Sequence, residues 1–508
     1  MNENLIEKEL EILREAVKNA EKNVKQKIIN TPDIKTIISI VEEFITKKKL
    51  ICYGGTAINN IISAEDQFYD KTLEIPDYDF FSDNAMEDAI ELADIYYNNG
   101  YEEVEAKAGV HHGTYKVFVN FIPIADITSI SDTLYTSLKK DAISVSNILY
   151  CPPNFLRMLM YLELSRPSGN ISRWEKVLKR LTLLNKNYPL KSKKCSDIDI
   201  QRPYESTEDS EDLYETIRNC FIDQGLVFFG GYANALYSKY MPKKIKTSLK
   251  KIPDFDVLSE DPEKTLTILK ERLKTEGFKK VKIKRHEGMW EILSGHYEVM
   301  VGDETVAFIY EPIACHNYNI VSEAGKKIKI ATIDTMLSFY LAFIYADKPY
   351  YDPQRILCMC QHLFDVQQSN RLSQKGVLKR FSIDCYGNQK TIENMRSDRN
   401  KKYNELKTKK NTIEYNQWFL NYRPSNSKKG SLKLLQINRT NSNSNSKSKS
   451  KSKSKSKSKS LDDTDEMSKI LYTSKSKKNK PNKPKKAKKK PKKTKKTKNF
   501  FKNSLFRF

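Results

Sequence analysis

Two features that place a chain in or across a membrane are missing from this 508-residue sequence. No apolar run approaches the roughly 18 residues that a membrane-spanning helix needs. The first residues, MNENLIEKELEILREAV, lack the basic-then-apolar order of a signal peptide. We therefore expect a soluble chain with no membrane partner, made in a reducing compartment. Its length leaves room for two or three domains.

Cysteine patterns that bind zinc or build a disulfide framework are also missing. None of the eight cysteines forms a C-x-x-C pair, so neither kind of site is predicted. We expect buried thiols at all eight positions, which are Cys52, Cys151, Cys195, Cys220, Cys315, Cys358, Cys360 and Cys385.

Almost all of the excess positive charge lies in one segment. The formal net charge is +25, yet residues 438–508 hold 26 basic and 4 acidic side chains, and the preceding 437 residues hold 63 and 60. This Lys/Ser-rich tail has few apolar residues, so burial cannot offset its chain entropy and we expect it to be disordered. A solubilising or targeting segment and a tether for RNA both fit its composition.

Two amphipathic helices are predicted ahead of residue 49, separated by a break at Pro32. The apolar stripe of the first comprises Ile6, Leu10, Leu13, Val17 and Val24, and that of the second comprises Ile34, Ile37, Ile38, Val41, Phe44 and Ile45. These residues form a helical region at the start of the chain.

The segment ICYGGTAINNII contains a glycine pair between a predicted strand, residues 50–53, and a predicted helix, residues 56–63. A strand-turn-helix unit aims free N–H groups and the positive end of the helix at one point. Gly54 and Gly55 would let a phosphate approach the backbone closely. A simple chain reversal is the alternative.

Acidic residues follow in two β-prone segments. Asp77 and Asp79 are two residues apart in IPDYDFFSD, so both side chains would lie on one face of a strand. Asp126 lies in the apolar run FIPIADITSI, where a carboxylate needs a metal ion or a partner. Three such acids on adjacent strands would hold two magnesium ions about 3.5 to 4 Å apart. An exposed edge strand is the alternative for the first pair.

The order of these motifs resembles the signature of the polymerase-beta-type nucleotidyltransferases, in which a glycine pair precedes two acids and then a third acid. Within that superfamily, the chain is similar to the catalytic subunit of poxvirus-type poly(A) polymerases in the form carried by giant DNA viruses. The segments that carry this similarity are GGTAINN, DYDFFSD, GTYKVFVNF, ADIT and SRWEKVLKRL. The resemblance spans roughly residues 33–363.

The resemblance implies an RNA 3'-end nucleotidyltransferase that transfers AMP from ATP. It assigns Gly54 and Gly55 to the triphosphate, and it assigns catalysis and binding of Mg²⁺ or Mn²⁺ to Asp77, Asp79 and Asp126. It also implies a place in the virion and the host cytoplasm, and a homodimer or a viral processivity subunit as partner. A nucleotidyltransferase that modifies a small molecule or protein, and a non-catalytic RNA-binding scaffold, are the alternatives.

A third group of candidates comes from two predicted helices around the loop RPSGN. The second helix carries Arg173, Lys176, Lys179 and Arg180, which either hold a triphosphate or an RNA backbone, or form a solvated face. We add Thr56 and Lys176 to the residues predicted to bind the nucleotide. His111 and His112 are placed in a hairpin turn, where they either contact substrate or are simply exposed.

An internal repeat supports this architecture. The segments VFFGGYANALY and KIPDFDVLSED repeat the glycine pair and the acid pair, with Asp254 and Asp256 each 177 residues after Asp77 and Asp79. We align Cys315, in EPIAC, with Asp126, in IPIAD. A thiol there would make a poor magnesium site, so the second copy is predicted to be non-catalytic and to buttress the first.

The sequence thus predicts an α/β (α+β) fold with two tandem polymerase-beta-like nucleotidyltransferase modules, N-terminal helices and a disordered basic C-terminal tail. The predicted regions are an N-terminal helical region at 1–48, a catalytic domain at 49–190, a linker at 191–212, a degenerate second module at 213–372, a C-terminal extension at 373–437 and the tail at 438–508.

Overall fold

The computed structural model describes residues 3–70, 72–192, 195, 210–243, 245 and 254–424. The chain divides into two compact units, 1–435 and 436–508. The predicted tail and most of the predicted linker lie outside the described residues. The domain boundaries within the first unit stay predictions.

The chain begins with two helices, α1 (Glu3–Ile29) and α2 (Pro32–Lys48). Thr31 caps α2, because its side chain accepts a hydrogen bond from the N–H of Ile34 and the proline at the first helical position needs no partner. The apolar face of α2 is buried in the core, whereas that of α1 is exposed. Among the described residues no helix is long and apolar enough to cross a membrane.

The first sheet has eight strands. Its elements in chain order are β1 (Ile51–Tyr53), α3 (Gly54–Ile61), β2 (Tyr78–Ser82), α4 (Ala85–Asn98), β3 (Val104–Ala108), β4 (Thr114–Val119), β5 (Ile122–Ser129), α5 (Asp132–Lys140), β6 (Ile143–Val145), β7 (Ile148–Tyr150), α6 (Pro153–Leu164) and α7 (Trp174–Asn187). The eighth strand, β16 (Asn421–Tyr422), comes from the C-terminal extension and pairs with β3.

The second sheet also has eight strands. Its elements are α8 (Ser210–Asp223), β8 (Val227–Phe228), α9 (Gly231–Tyr237), β9 (Phe255–Leu258), α10 (Pro262–Thr275), β10 (Val281–His286), β11 (His296–Val301), β12 (Glu304–Tyr310), β13 (His316–Glu323), β14 (Lys326–Ala331), α11 (Ile333–Tyr345), α12 (Pro353–Ser369) and β15 (Cys385–Tyr386). The extension adds α13 (Ile392–Leu406) and α14 (Ile413–Phe419).

The strand orders confirm the predicted duplication. Each sheet contains seven strands in a matching order and one additional strand at an edge. The seven strands run β3-β4-β5-β2-β1-β7-β6 in the first sheet, with β16 added next to β3. They run β10-β11-β12-β9-β8-β14-β13 in the second sheet, with β15 added next to β13. Each pair has the same direction in both: β1/β2 and β8/β9 are antiparallel, and β2/β5 and β9/β12 are parallel. The two modules therefore have one topology.

The two modules share one hydrophobic core. Helix α6 of the first packs against α11 of the second, where the ring of Phe155 meets that of Tyr345 edge-on at 5.3 Å. Trp290, between β10 and β11, contacts the ring of Phe81 in β2 at 5.5 Å. The second module thus supports the sheet that carries the candidate site.

The expectation of eight thiols was wrong for four cysteines. Cys195 is bonded to Cys358, and Cys315 is bonded to Cys385. The partners are 163 and 70 residues apart, so no local spacing indicated the pairing. The other four cysteines are buried thiols as predicted: Cys52, Cys151, Cys220 and Cys360.

Candidate active site

The glycine pair forms the start of α3 itself, two residues earlier than predicted. Gly54 has a φ of +75°, and a Cβ atom there would lie 2.3 Å from Oδ2 of Asp79. Only glycine therefore allows the first turn of α3 to approach the acid pair this closely. The N–H groups at the start of α3 lie beside the Asp79 carboxylate.

Four side chains form a row across the sheet, which we call the acid row: Tyr53, Asp79, Asp126 and Lys116. Asp79 on β2 is directly opposite Asp126 on the parallel strand β5. Tyr53 on β1 is opposite Asp79, and Lys116 on β4 is opposite Asp126. Since directly opposite residues point to the same face of a sheet, the row presents both acids together.

The charges in this row affect one another. Burial raises the pKa of Asp79 to about 7, and the carboxylates of Asp77 and Asp126 add to this shift, while Lys116 opposes it. Burial and Asp126 also raise the pKa of Asp77, which lies one residue before β2. Both acids therefore lack sufficient positive charge around them.

The donor set fits a hard divalent cation, because Mg²⁺ and Mn²⁺ prefer carboxylate oxygens. In the described part of the chain, no three His, Cys, Asp or Glu side chains lie close enough together to hold a metal ion. Asp126 instead forms an ion pair with Nζ of Lys116. The row supplies the ligands for a cation, with a lysine paired to one of them.

A basic cluster lies at the other side of α3. A Cβ atom on Gly55 would lie 2.9 Å from both terminal nitrogens of Arg180, whose Nη2 donates a hydrogen bond to Tyr69 Oη at 2.5 Å. The charge of Arg180 is the main cause that lowers the pKa of Lys176, with burial and Arg173 adding to it. Lys176 and Arg180 lie on one face of α7, and Arg173 immediately precedes the helix.

The fourth cation of that segment lies on a different face. Nζ of Lys179 is 2.6 Å from Oε1 of Glu175, and both side chains are exposed. The predicted set of four basic residues is thus divided by the helix: Arg173, Lys176 and Arg180 recur at helical spacing, and Lys179 is a solvated position.

Thr56 lies in α3 with its hydroxyl already engaged, because Oγ1 donates to the backbone carbonyl of Asp77 at 2.7 Å. This bond fixes the segment before β2. The N–H of Thr56 belongs to the first turn of α3, whose N–H groups have no acceptor within the helix.

Sequence reasoning missed three members of the site. Lys116 and Tyr53 complete the acid row, and Tyr69 orients Arg180. The alternation of β4 could have placed Lys116 beside Asp126 only if the strand register had been known. Tyr69 lies in an irregular segment and gave no signal.

The second module has a similar turn but lacks the third acid. A Cβ atom on Gly230 would lie 1.7 Å from Oδ2 of Asp256, as at the first site. The residue opposite Asp256 on the parallel strand β12 is Phe308. Our alignment of Cys315 with Asp126 was therefore wrong, because Cys315 follows β12 and is bonded to Cys385. A phenyl ring offers no metal ligand at all.

His111 and His112 lie in the turn between β3 and β4, as predicted. Both are exposed. His112 contacts Trp418 of the C-terminal extension, with ring centroids 4.2 Å apart.

Comparisons with known proteins confirm the resemblance seen in the motifs. Residues 39–170 match the family model described as the poly(A) polymerase catalytic subunit. A protein of African swine fever virus, named as a candidate poly(A) polymerase catalytic subunit, is 33% identical over 167 residues, or 32% of this chain. The match spans about a third of that relative, 35% of its length.

Two further comparisons extend over both modules. A protein of Acanthamoeba polyphaga mimivirus with the same name is 24% identical over 426 residues, which cover 74% of this chain and 71% of that protein. The crystal structure of the Megavirus polyadenylate synthase superposes with a TM-score of 0.71 at 19% identity, over 85% of this chain and 88% of the other. This structural likeness confirms the fold class.

Proposed function

We propose that this chain is a template-independent polynucleotide adenylyltransferase, which transfers AMP from ATP to the 3' hydroxyl of RNA. The observation that carries the proposal is the position of Gly54, whose Cα is packed against the Asp79 carboxylate in the acid row. In this arrangement the N–H groups at the start of α3 would bind the phosphates next to the paired acids, which supports the proposal. The choice of ATP and RNA rests on the names of the matched family and relatives.

The triphosphate would lie between α3 and α7. The first turn of α3 offers N–H groups from Gly54, Gly55 and Thr56. Arg180 is held beside Gly55 by Tyr69 and lies over the ring of Phe68, with Cζ 5.0 Å from the centroid. A guanidinium in a fixed position binds phosphate oxygens with less loss of conformational entropy than a mobile one. Lys176 provides a second charge.

Asp77, Asp79 and Asp126 would hold the divalent cations. When bound there, such ions neutralise charge on the phosphoryl group and activate the attacking hydroxyl. The residues of the chain supply position: β2 and β5 set Asp79 opposite Asp126, and Thr56 fixes the segment at Asp77. Lys116 balances the charge of Asp126 through their ion pair.

An extension assay tests this function. Purified protein is incubated with a labelled oligoribonucleotide, Mg²⁺ or Mn²⁺, and each of the four ribonucleoside triphosphates in separate reactions. We expect extension with ATP and little or none with the other three. Extension with all four would retain the reaction class and refute the base preference.

The two alternatives give different results in the same assay. A transferase that modifies a small molecule or protein would leave the RNA unchanged but release pyrophosphate when its own acceptor is present. A scaffold would bind RNA and release no pyrophosphate with any triphosphate. Either result would overturn the proposal.

A partner and a location complete the proposal. The exposed stripe of α1 includes Leu13 and Val24, at 57% and 56% exposure, and extends over most of a 27-residue helix. A second copy of the chain or a processivity subunit would cover such a stripe. We also propose residence in the virion and the host cytoplasm, for which the resemblance to viral enzymes is the only support.

A further inference from the structure

The hairpin formed by β3 and β4 carries an aromatic pair at its turn. The rings of His112 and Trp418 are inclined by 43° with centroids 4.2 Å apart. His112 is exposed, and Trp418 is partly buried in the C-terminal extension. Two segments that are far apart in the sequence thus combine to present aromatic surface.

The extension holds this hairpin in place. Nη1 of Arg399 in α13 donates a hydrogen bond to the carbonyl of Gly109, and the N–H of Ala108 donates to the carbonyl of Leu420 at 2.9 Å. Strand β16 then pairs with β3 at the base of the hairpin. A rigid platform of this kind costs little conformational entropy when it binds a ligand.

The extension is also the most basic part of the described chain. Residues 373–424 hold 12 basic and 5 acidic side chains, whereas residues 1–372 hold 48 basic and 55 acidic. Burial lowers the pKa of His112, the charge of Glu291 opposes this shift and that of Lys402 adds to it. Lys402 itself forms an ion pair with Glu405, with Nζ 2.8 Å from Oε2. The extension is thus a basic segment in a chain whose other modules are slightly acidic.

A polar strip connects the hairpin to the acid row. Thr128 on β5 is two residues beyond Asp126, on the same face, and is opposite Thr114 on β4. Their hydroxyl oxygens are 3.1 Å apart, and Tyr53 Oη lies 2.9 Å from that of Thr128. His112 precedes Thr114 by two residues. The aromatic pair thus lies at the end of the strands that carry Asp126 and Lys116.

We propose that His112 and Trp418 form a stacking platform for single-stranded RNA whose 3' end lies at the acid row, with the basic side chains of the extension, Lys402 among them, attracting its phosphates. The platform rests on the proposed function, because the acid row defines where the 3' end lies. Aromatic rings beside basic side chains are the usual means of binding a single strand without base preference. A strand that must move as it grows requires contacts of this sequence-tolerant kind.

Equilibrium binding without ATP or metal tests the platform separately from catalysis. A labelled single-stranded oligoribonucleotide is titrated with the full chain across a series of KCl concentrations. Trp418→Ala should weaken binding by roughly 5-fold or more, since loss of one stacked base has about that effect. The salt slope should not change, because no charge is removed. Lys402→Ala should instead reduce the slope by about 0.7.

Matched controls separate stacking from folding. Phe121→Ala removes an exposed ring at the other end of the β4–β5 pair, where Phe121 is 78% exposed. It should bind RNA as the wild type does, and Trp418→Phe should retain most of the affinity. Wild-type affinity in Trp418→Ala, or an equal loss in Phe121→Ala, would overturn the platform. Extension by the wild type would still test the proposed function, so the two failures are distinguishable.

Discussion

At the level of single residues, the site depends on how closely Gly54 approaches Asp79. The Cα atom of Gly54 occupies a position from which any side chain would overlap Oδ2 of Asp79. Gly100 provides a comparison, since its φ of +94° carries the same backbone cost with no atom within 4 Å of an added Cβ. A comparison of substitutions at the two glycines therefore separates the effect of backbone strain from the effect of contact with Asp79.

Gly54→Ala should therefore abolish RNA extension, whereas Gly100→Ala should not. Both variants should lose about 1 kcal/mol of stability through a positive φ in a residue with a Cβ. Only the first displaces the Asp79 carboxylate, and we expect at least a 100-fold loss in single-turnover rate, in the range found for loss of a key electrostatic contact. Equal activity in the two variants would show that the close approach is unimportant.

Asp79 also makes the stability of the ion-free protein depend on pH. Its pKa of about 7 lies above the ordinary value of 3.8, mainly because of burial. The folded state therefore favours the protonated form, and stability falls as pH rises from about 4 through 7. The loss is no more than about 4 kcal/mol at 1.36 kcal/mol for each pKa unit.

Asp79→Asn should remove this loss. In the presence of EDTA, the variant should unfold at higher urea concentration than the wild type at pH 8.5, and the difference should shrink towards pH 5. Asp303→Asn is the control, since a hydrogen bond from Lys282 lowers the pKa of that exposed carboxyl. A difference that grows towards acid pH would contradict the assigned shift.

The acids and glycines could be found from sequence because their spacing is short and local. Asp77, Asp79 and the glycine pair lie within 26 residues, and alternation fixed the shared face of the two acids. Lys116 could not be found, because its neighbour Asp126 is set by strand register. Strand register depends on which face of each strand is buried, and the sequence of one strand alone does not determine how it pairs with its neighbour.

At the level of elements, α7 presents two faces with different roles. Arg180 contacts Gly55 at the start of α3, whereas Lys179 pairs with Glu175 in solvent. Four cations lie within eight residues of the sequence, and nothing in their order distinguishes the buried face from the solvated one. Helical spacing assigns the four cations to two faces only when one residue of the buried face is already known.

Arg180→Ala should raise the KM for ATP by roughly 10- to 100-fold, the usual effect of losing a charge-assisted hydrogen bond. Lys179→Ala is the matched control from the same helix and should leave KM within about 2-fold. Steady-state extension with varied ATP measures both. A raised KM for RNA with an unchanged KM for ATP would assign α7 to the acceptor strand.

The third acid, which the second module lacks, shows the same limit of sequence reasoning at strand β12. The motif EPIAC is similar in sequence to IPIAD, yet the strand register sets Phe308, and not Cys315, opposite Asp256. The conclusion that this module lacks a third acid remains, for a different reason. A motif located after its strand was mistaken for one within it.

At the level of the whole molecule, most of the excess positive charge and the candidate active site occupy different parts of the sequence. The basic residues of 438–508 lie outside the described part of the chain, and every acid and glycine of the site precedes residue 127. If about a third of the 26 basic residues neutralise RNA phosphates, about nine contacts give a log-log salt slope near −6. The tail would then dominate RNA binding at low salt.

Deletion of residues 438–508 should weaken RNA binding at low salt and flatten its salt dependence. Single-turnover extension at saturating RNA should be retained, because every acid and glycine assigned to the site precedes residue 127 in the sequence. Binding across a salt series and a rapid-quench assay measure the two effects. An unchanged slope would leave the tail as a solubility or targeting segment.

The duplicated topology was predictable because both copies repeat the same glycine and acid motifs at nearly the same spacing. The two disulfides and the addition of β16 to the first sheet were not. They join segments far apart in the chain, and in each case the local sequence offers no feature that names its partner.

The central claim is that one module performs chemistry and its duplicate supports it. RNA extension by Asp79→Asn and Asp256→Asn tests this most directly, with Asp77→Asn and Asp254→Asn as a second matched pair. Each variant is assayed in single turnover with ATP and Mg²⁺ after thermal unfolding has shown that it is folded and at least as stable as the wild type. We predict no extension by the Asp77 and Asp79 variants and nearly full extension by the other two. Loss of extension in Asp254→Asn or Asp256→Asn to the level of Asp79→Asn would contradict the account.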